Sequence, residues 1–550
     1  MRGKSEHKAR SNFLVQGSIL AAAGIVVRII GLLYRIPLRR IIGKEGIGYY
    51  SFAFSVYAII LLLSSYSLPL AVSKMISAKI AANDRKNAGR IFKAALWYAS
   101  IVGGLGCALL YFGSDFFAQI FFKAPYSLYA LKTLAPTVWV MAYLGVFRGY
   151  YQGHSTMIPT AASQLLEQIV NAIVSILAAK KLSEHAIGMM ESESKIRAYG
   201  AAGGTIGTGA GAFFALLLLL GLFWYHKRRE GKKSAEKSEG RSESYAEITK
   251  LLFLTVIPVI LSTAIYNING IIDGAVFGNV MDFMGKNPAH TASEYGIYTG
   301  EYLILINVPV AISNALASSL IPALTRASAS KKHSEVSQNI TNAIRFSMII
   351  AMPAAVGLAI LAEPIYALLF ATSGMSVSFM RMGSAAVVFS SLSTVSNAIL
   401  QGTNHMGEPV KNAALSLLIH VGLLILSLFY LGAYALVFAN ILFVFLICVF
   451  NALSIRRFLD YRQELKKIYL LPSLSALLMG GIVFSVFFAL EKLKADDFMI
   501  CALPIAVGGL SYPLILILTK TLREEELRAM PGGRKLFAVL KKLRLCRGKS

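Results

Sequence analysis

Long stretches without charge constrain this chain more than any other feature. Each is long enough to cross the roughly 30 Å hydrocarbon core of a membrane as one α-helix. The whole chain is 56% hydrophobic and only 15% charged, with a mean hydropathy of +0.61, which excludes most soluble enzymes. The uncharged stretches are Ile47–Ser73, Ala94–Ser114, Ala198–Tyr225, Leu251–Ile272, Tyr302–Thr325, Ile468–Leu490 and Phe498–Thr519.

Weaker apolar segments raise the number of predicted membrane helices to fourteen. Asn412–Ile455 holds no charged side chain apart from His420, and its length requires two crossings with a turn near Gly432. We therefore predict an all-α integral membrane protein. Its helices are predicted to begin near residues 13, 47, 89, 127, 159, 199, 248, 296, 338, 378, 410, 433, 468 and 498.

The distribution of basic residues orients these helices. With the N-terminus inside, 39 of the 54 Lys and Arg fall on inner segments and 13 on outer segments. Short cytoplasmic loops carry the excess of positive charge, so we expect both termini in the cytoplasm. This arrangement explains the net charge of +26 without a nucleic-acid partner. Apolar sequence continues past Ala23 to Ile30, which indicates an uncleaved first helix rather than a signal peptide.

An internal repeat divides the chain into two halves. Gln152-Gly153, followed by Met157 and Pro159, recurs as Gln401-Gly402, followed by Met406 and Pro409, at an offset of 249 or 250. Upstream, Gly48 and Tyr50 recur as Gly296 and Tyr298 at an offset of 248. We predict two parallel, pseudo-symmetric six-helix lobes plus two C-terminal helices. The predicted parts are a first lobe (1–226), a basic cytoplasmic linker (227–247), a second lobe (248–455), helices 13 and 14 (456–525) and a basic cytoplasmic tail (526–550).

Duplicated helical bundles are typical of transporters that rock two lobes around a central site. The chain contains no GxxxxGK[ST], HExxH, paired CxxC or DDxxD-like pattern, so we predict no enzyme activity, cofactor or metal site. Gly203, Gly207 and Gly211 follow no strand, and their spacing indicates close helix packing rather than a phosphate loop.

Charged side chains inside membrane spans are costly and mark candidate functional sites. Arg28 and Arg35 lie two turns apart in the first helix and therefore share one face. A guanidinium group suits bidentate capture of a phosphate, although a salt bridge to a neighbouring helix also explains Arg28.

The membrane-embedded carboxylates allow more than one interpretation. Glu167 lies between Gln164 and Gln168, and a structural hydrogen-bond network is the favoured interpretation. Asp273 and Glu301 either bind a coupling ion, Na⁺ or H⁺, or balance the charge of the arginines. His420 is interpreted as a satisfied core residue.

Several motifs give the chain a family resemblance. They are Arg28-Ile-Ile-Gly31, Gly43-Lys-Glu-Gly46 with Tyr49, Leu68-Pro-Leu-Ala-Val-Ser-Lys74, and the polar motif that includes Arg148, Gln152, Gly153, Gln164, Glu167 and Gln168. The chain resembles the polysaccharide-transporter branch of the multidrug/oligosaccharidyl-lipid/polysaccharide (MOP) exporter superfamily. Within that branch it is similar to the stage V sporulation protein B group and to MurJ-type lipid II flippases.

The resemblance implies a multi-pass protein of the bacterial cytoplasmic membrane that moves a lipid-linked cargo by alternating access. The cargo would be an undecaprenyl-diphosphate-linked saccharide or a peptidoglycan precursor such as lipid II, and cell-wall synthesis proteins and membrane lipids would be partners. The cavity arginines of the family correspond to Arg28 and Arg35. MurJ-type proteins also carry arginines within helices 2 and 8, whereas here Lys74 and Arg326 lie only at the inner ends of those helices.

Other classes remain as alternatives at this point. The runner-up is a cation-coupled multidrug antiporter of the same superfamily, which generally has twelve helices and lacks the motif from Arg148 to Gln168. A membrane-embedded glycosyltransferase and a scaffold without transport activity are less favoured. Because no nucleotide-binding motif is present, we expect the membrane potential or an ion gradient to drive transport.

Overall fold

The computed structural model describes residues 19–20, 22–230, 243–330 and 332–519. Most of the predicted linker and the whole predicted tail lie outside these residues, as does the start of the first predicted helix. Short π-helical turns at Leu62–Tyr66, Phe116–Phe121, Tyr298–Tyr302 and Lys466–Leu470 and a 3₁₀ turn at Pro125–Ser127 connect some of the α-helices. The α-helices of the described residues are α1 (Ala22–Leu33), α2 (Arg35–Leu61), α3 (Leu68–Ala81), α4 (Arg85–Phe112), α5 (Leu128–Gly153), α6 (Ile158–Gly188), α7 (Glu193–Glu230), α8 (Tyr245–Phe283), α9 (Pro288–Ile297), α10 (Leu303–Ala329), α11 (His333–Ile360), α12 (Ala362–Phe370), α13 (Met375–Gly383), α14 (Ala386–Gly402), α15 (Gly407–Leu431), α16 (Tyr434–Leu459), α17 (Leu471–Lys492) and α18 (Asp497–Leu518).

The fold is an all-helical membrane protein. Among the described residues, eleven helical segments are long and apolar enough to cross a membrane, and the bent pair α13–α14 raises this number to twelve if it is one span. Large apolar side chains cover their outer surfaces, as Trp97 and Phe112 do at 70% and 81% exposure. Such a surface is expected in lipid, because the lipid tails are apolar. The helical backbone forms its own hydrogen bonds, so it exposes no unpaired polar group to them. The predicted number of fourteen also requires α1 and α8 to cross the membrane, and it stays a prediction.

Polar caps mark the points where several helices begin. At α4, the Asp84 side chain accepts a hydrogen bond from the backbone N–H of Asn87 at 3.1 Å. At α8, Ser244 and Glu247 form a reciprocal capping box. Both arrangements satisfy amide groups that the first helical turn leaves without partners. The caps therefore separate the apolar spans from the polar segments that precede them.

The chain forms two compact units. The first contains residues 1–300 and 428–433, and the second contains residues 301–427 and 434–550. Helices α8 and α9, which the sequence repeat assigns to the second half, belong to the first unit by their contacts. The predicted lobe boundaries at residues 226 and 248 stay a prediction.

Helices α6 and α7 pack closely against each other in the first unit. A Cβ atom at Gly203 would lie 2.5 Å from the carbonyl carbon of Ala178, and one at Gly207 would lie 2.5 Å from the backbone nitrogen of Ser175. Gly211 faces the backbone of Glu167 with no room for a side chain. The expectation that these three glycines serve close helix packing is confirmed.

The sequence repeat reappears as a local two-fold contact between α2 and α9, which we call the seam. Gly48 lies against the carbonyl group of Ala292, and Gly296 lies against the carbonyl group of Lys44, with no room for a Cβ atom at either glycine. Gly296 is the repeat counterpart of Gly48, and Ala292 is that of Lys44, each at the same offset of 248 residues. Repeat counterparts therefore face each other reciprocally, as an isologous interface requires.

The seam continues toward the following turn. The hydroxyl of Thr299 donates to that of its repeat counterpart Ser51 at 2.8 Å. The rings of Phe52 and Tyr295 stack with their centroids 4.2 Å apart. A self-matching hydroxyl pair places the local two-fold axis between α2 and the residues that follow α9.

A second repeated contact occurs once in each unit. In the first, a Cβ atom at Gly153 would lie 2.8 Å from the Cβ atom of Ile76 on α3. In the second, a Cβ atom at Gly402 would lie 2.9 Å from the Cβ atom of Leu324 on α10. The repeated Gln-Gly pairs thus hold the same packing position, where a helix approaches its neighbour closely.

Candidate functional site

Arg28 and Arg35 lie on one nearly continuous helical run. Backbone hydrogen bonds from Tyr34 to Ile30 (3.1 Å) and from Leu38 to Tyr34 (3.2 Å) carry the helix through the short turn between α1 and α2. The spacing of two turns between the arginines is therefore preserved. Within α2, helical geometry is broken at Gly43, whose φ of 74° lies in the left-handed region.

The two arginines differ in environment. Arg28 is exposed on α1, whereas Arg35 is half-buried beside the hydroxyl groups of Tyr34 and Tyr50. Tyr50 in turn neighbours Thr208 on α7. The hydroxyl groups of Tyr34 and Tyr50 therefore orient Arg35 within the first unit. The guanidinium group of Arg28 is instead exposed on α1.

The polar motif between α5 and α6 centres on an ion pair. Arg148 on α5 donates from Nη2 to Glu167 Oε2 at 2.6 Å and from Nε to Ser163 Oγ at 3.0 Å. The two charged side chains retain only 11% and 22% exposure. Tyr57 on α2 lies close to the same carboxylate. The ion pair ties two consecutive helices together, and a structural role for Glu167 stays a prediction.

The remaining members of the motif lie at different positions. Gln168 approaches α1, because a Cβ atom at Gly31 would lie 3.2 Å from its Nε2 atom. Gln164 and Gln152 are half-buried on α6 and α5. Gly153 belongs to the packing contact described above. The structure therefore brings Arg148 and Glu167 together. It also places Gln168 of α6 beside Gly31, which lies three residues after Arg28 on α1.

Asp273 lies in the first unit, on α8. It is 3% exposed, and Asn269 donates to its Oδ2 atom at 3.1 Å. Tyr295 of α9 lies close to the carboxylate and donates from its hydroxyl to the carbonyl oxygen of Gly270 at 3.2 Å. Asp273 is thus a buried carboxylate with amide and hydroxyl groups nearby. It lies in the part of α8 that packs against α9 of the seam.

Glu301 lies in the second unit, in the π-helical turn before α10. Its side chain is fully buried, and Thr372 donates to Oε2 at 3.5 Å. Tyr366 of α12 also lies close to the carboxylate. The next residue, Tyr302, donates from its hydroxyl to the carbonyl oxygen of Gly383 at 3.1 Å. The described residues contain no cluster of three or more His, Cys, Asp or Glu side chains that could hold a metal ion.

Two features escaped the sequence analysis. Arg197 of α7 lies against the helix break at Gly43 and donates to the carbonyl oxygen of Ile41 at 3.3 Å. In the second unit, Asn412 and Asn451 form the centre of a buried network joining α14, α15 and α16. Neither has a local sequence signal, because the partners are far apart along the chain.

His420, interpreted as a core residue, is fully buried and bonded through Nδ1 to the carbonyl oxygen of Ala439 at 3.0 Å.

Comparisons with known proteins agree with the family resemblance. A profile of the family described as polysaccharide biosynthesis protein matches residues 14–328. Stage V sporulation protein B of Bacillus subtilis (strain 168) is 25% identical over 528 residues, which cover 95% of this chain and 98% of that protein. The lipid II flippase MurJ of the same organism is 25% identical over 527 residues, which cover 91% and 94% of the two chains.

Solved structures share the fold. A lipid II flippase MurJ in an inward closed conformation superposes with a TM-score of 0.66 at 14% identity, covering 91% of this chain and 98% of that one. An inward-facing MATE-family multidrug resistance transporter gives a TM-score of 0.65 at 16% identity, covering 82% and 98%. The fold is therefore the one that these two solved structures share. With more than half of its length matched by the family profile, the chain belongs to the family described as polysaccharide biosynthesis protein.

Proposed function

We propose that this protein is a flippase of the bacterial cytoplasmic membrane. Its cargo is an undecaprenyl-diphosphate-linked saccharide or a peptidoglycan precursor of the lipid II type, moved from the inner to the outer leaflet by alternating access. The observation that carries the proposal is the similarity to a lipid II flippase over 91% of the chain in sequence and again in fold. An arginine exposed on a membrane helix, Arg28, supports an anionic cargo.

Arg28 and Arg35 are the proposed diphosphate ligands. A planar guanidinium group offers two parallel N–H donors to phosphate oxygens, which a lysine ammonium group does not. The hydroxyl groups beside Arg35 fix its orientation, and the exposure of Arg28 leaves its donors available to cargo. In this proposal Arg28 makes the principal contact and Arg35 supports it.

The test of the function is a cargo assay with Arg28 variants. Arg28→Ala is expected to abolish the appearance of lipid-linked precursors on the outer leaflet, whereas Arg28→Lys restores it only in part. Arg40→Ala, which removes another exposed arginine twelve residues along the helical run, is the matched control and should transport normally. Full transport by a correctly inserted Arg28→Ala protein contradicts the proposed site, and no precursor accumulation after depletion in the native bacterium contradicts the function.

The energy source follows from charge. A diphosphate carries about two negative charges, and moving one charge across 100 mV is worth roughly 2.3 kcal/mol. With cargo bound, the two arginines are nearly neutralised. The empty carrier exposes two positive charges, so a potential that is negative inside would return it to the inward-open state. A potential imposed with valinomycin should therefore accelerate turnover in proteoliposomes.

Asp273 and Glu301 are proposed as optional coupling sites for Na⁺ or H⁺, with charge balance as the other role open to them. Both are buried carboxylates in membrane helices, surrounded by hydroxyl and amide groups. If transport ignores the potential and follows an imposed Na⁺ or pH gradient, these carboxylates are the coupling sites, and the arginine reset is wrong.

The proposed topology has fourteen membrane helices with both termini in the cytoplasm. Cysteines at Ser238 and Ser330 should react with an impermeant thiol reagent only after the membrane is opened. A cysteine at Ser192 should react in intact cells. The reverse labelling pattern contradicts this topology.

A multidrug antiporter is the second candidate, favoured by the TM-score of 0.65 with a MATE-family transporter. The two functions differ in cargo and not in fold. Drug efflux by the purified protein in proteoliposomes, without movement of lipid-linked precursors, would select the antiporter.

A further inference from the structure

The start of α8 is fastened to the turn between α3 and α4 through one residue, Glu243. Its carboxylate pairs with Lys79 at the end of α3. Its backbone N–H donates to Asn87 Oδ1 at 3.0 Å, and its carbonyl oxygen accepts from Arg90 Nε at 2.9 Å. The guanidinium group of Arg90 also lies 4.2 Å from the ring centroid of Tyr245. We call Glu243, Lys79, Asn87 and Arg90 the inner latch.

The inner latch is a preorganised arrangement. Asn87 is 1% exposed, and its Nδ2 group donates to Asp84 Oδ2 at 2.7 Å. This bond fixes the amide so that Oδ1 faces the backbone N–H of Glu243. The capping box of Ser244 then begins α8 immediately after the latch. Two helices of the first repeat therefore hold the first helix of the second repeat at its starting point.

Below the latch, α8 contributes to the core of the first unit. Ile248, Leu252 and Val256 are buried in the same cluster as Ala88 and Tyr98 of α4. Their spacing of four residues places them on one face of α8. Ala88 follows the latch residue Asn87 along α4, so we expect separation of α8 from α4 to expose Ala88.

The opposite end of α8 is held differently. Gly278 packs against the carbonyl group of Phe122 with no room for a Cβ atom. Asn279 Nδ2 donates to the carbonyl oxygen of Phe121 at 2.7 Å, and Lys123 pairs with Asp282 at 3.5 Å. This end adjoins the seam and relies on backbone-close packing. At the latch, the Lys79 and Glu243 side chains are 26% and 34% exposed. The Lys123–Asp282 pair at the opposite end is more exposed still, at 37% and 48%, so the ion pairs do not distinguish the two ends. The latch is held by polar contacts, whereas the opposite end also has backbone-close packing at Gly278, and we therefore expect the latch to open more readily.

We propose that the inner latch opens and closes once in each transport cycle and thereby admits cargo from the side that the charge distribution assigns to the cytoplasm. The proposal rests on the proposed function for the identity of the cargo. The motion itself depends only on α8 separating from α4.

The first experiment locks the latch. Asn87→Cys with Glu243→Cys is made in a background without Cys107, Cys448, Cys501 and Cys546. The control pair is Thr133→Cys with Thr205→Cys, because those hydroxyls lie 2.6 Å apart between α5 and α7, within the part of the first unit that should stay rigid. Oxidation should stop transport by the latch pair, with recovery after reduction, and leave the control pair active. Unchanged transport by a fully oxidised latch pair overturns the proposal.

The second experiment reads the motion without cargo. Ala88→Cys places a thiol next to the latch residue Asn87, at a site with 6% exposure. In the purified protein, its labelling by a maleimide should be several-fold faster when Glu243→Gln or Lys79→Gln is added. It should stop when Asn87→Cys and Glu243→Cys are added and their two thiols are oxidised to a disulfide. Labelling that is indifferent to all three changes overturns the latch, whether or not the protein moves lipid-linked cargo. Latch-dependent labelling with no lipid transport leaves the latch intact and removes the proposed function.

Discussion

Four residues before the Gln-Gly pair of each half, the first half of the chain carries Arg148 and the second half carries Asn397. Eleven residues after the glutamine, the first half has Ser163 and the second has Asn412. In the first half these positions meet in an ion pair with Glu167. In the second half the corresponding positions belong to a network of amide and hydroxyl groups, which we call the uncharged network and which consists of Ser396, Asn397, Asn412 and Asn451.

The uncharged network depends on a third helix. Asn451 of α16 donates from Nδ2 to Ser396 Oγ at 2.9 Å and to Asn397 Oδ1 at 2.8 Å, and its Oδ1 atom accepts from Asn412 at 2.9 Å. Outside this network, Asn412 also donates to Ser454, whose hydroxyl donates to the carboxylate of Glu408. Asn451 is fully buried, so one side chain joins three helices.

The two solutions differ because the third helix approaches differently. In the first half, α7 brings Gly211 against the backbone of Glu167 and leaves no room for a bridging side chain. In the second half, α16 reaches α15 through side chains, as Asn451 and His420 show. The two halves therefore share the positions where their helices meet. The separation of the helix backbones determines which side chains join them at those positions.

We expect the largest effect in the first half, which contains the Arg148–Glu167 ion pair. Arg148→Ala leaves the Glu167 carboxylate without its cation inside a membrane helix, and we expect a loss of about 2 to 3 kcal/mol in unfolding free energy. That is less than for a fully buried pair, because Glu167 is 22% exposed. Unfolding in mixed micelles measures the loss. Arg148→Met with Glu167→Leu should recover most of it, and a double variant no more stable than Arg148→Ala contradicts a stabilising pair.

The next prediction tests what the halves share. Gly153→Ala and Gly402→Ala should each cost about 2 kcal/mol, because the new Cβ atom would lie 2.8 Å from Ile76 Cβ or 2.9 Å from Leu324 Cβ. Thermal unfolding of both variants is the measurement. Gly407→Ala, where nothing lies within 4 Å, is the control and should unfold like the unmodified protein. A large effect in only one half would show that the repeated packing is not equivalent.

The sequence predicted the parts of this comparison that local patterns encode. Uncharged stretches identified most of the spans, and the Gln-Gly repeat located equivalent packing positions that the structure places at Gly153 and Gly402. The network around Asn451 was not predictable, because its members lie up to 55 positions apart and each polar residue alone resembles a satisfied core residue. The association of α8 with the first unit depends on tertiary contacts at Glu243, which no periodicity records.

The third prediction concerns the centre of the uncharged network. Asn451→Ala should cost about 1.5 kcal/mol, since the amide groups of Asn412 and Asn397 lose a partner in a buried site. Asn451→Leu fills the volume without restoring the hydrogen bonds, so it separates the cavity from the polar loss. If Asn451→Leu unfolds like the unmodified protein, packing rather than hydrogen bonding joins the three helices.

The smallest effect is expected at Asn397, the position equivalent to Arg148. Asn397→Ala removes one of several acceptors around Asn451, and Ser396 Oγ remains at 2.9 Å to receive the same amide group. Single interhelical hydrogen bonds in membrane proteins average about 0.6 kcal/mol, because the network can rearrange. Unfolding Asn397→Ala and Arg148→Ala in the same micelles gives the ratio of their losses in unfolding free energy. A severalfold larger loss for Arg148→Ala is expected, since removing a cation leaves an unpaired charge and removing an amide leaves a network with a second acceptor. Equal losses would mean that the position, rather than the charge, determines stability in both halves.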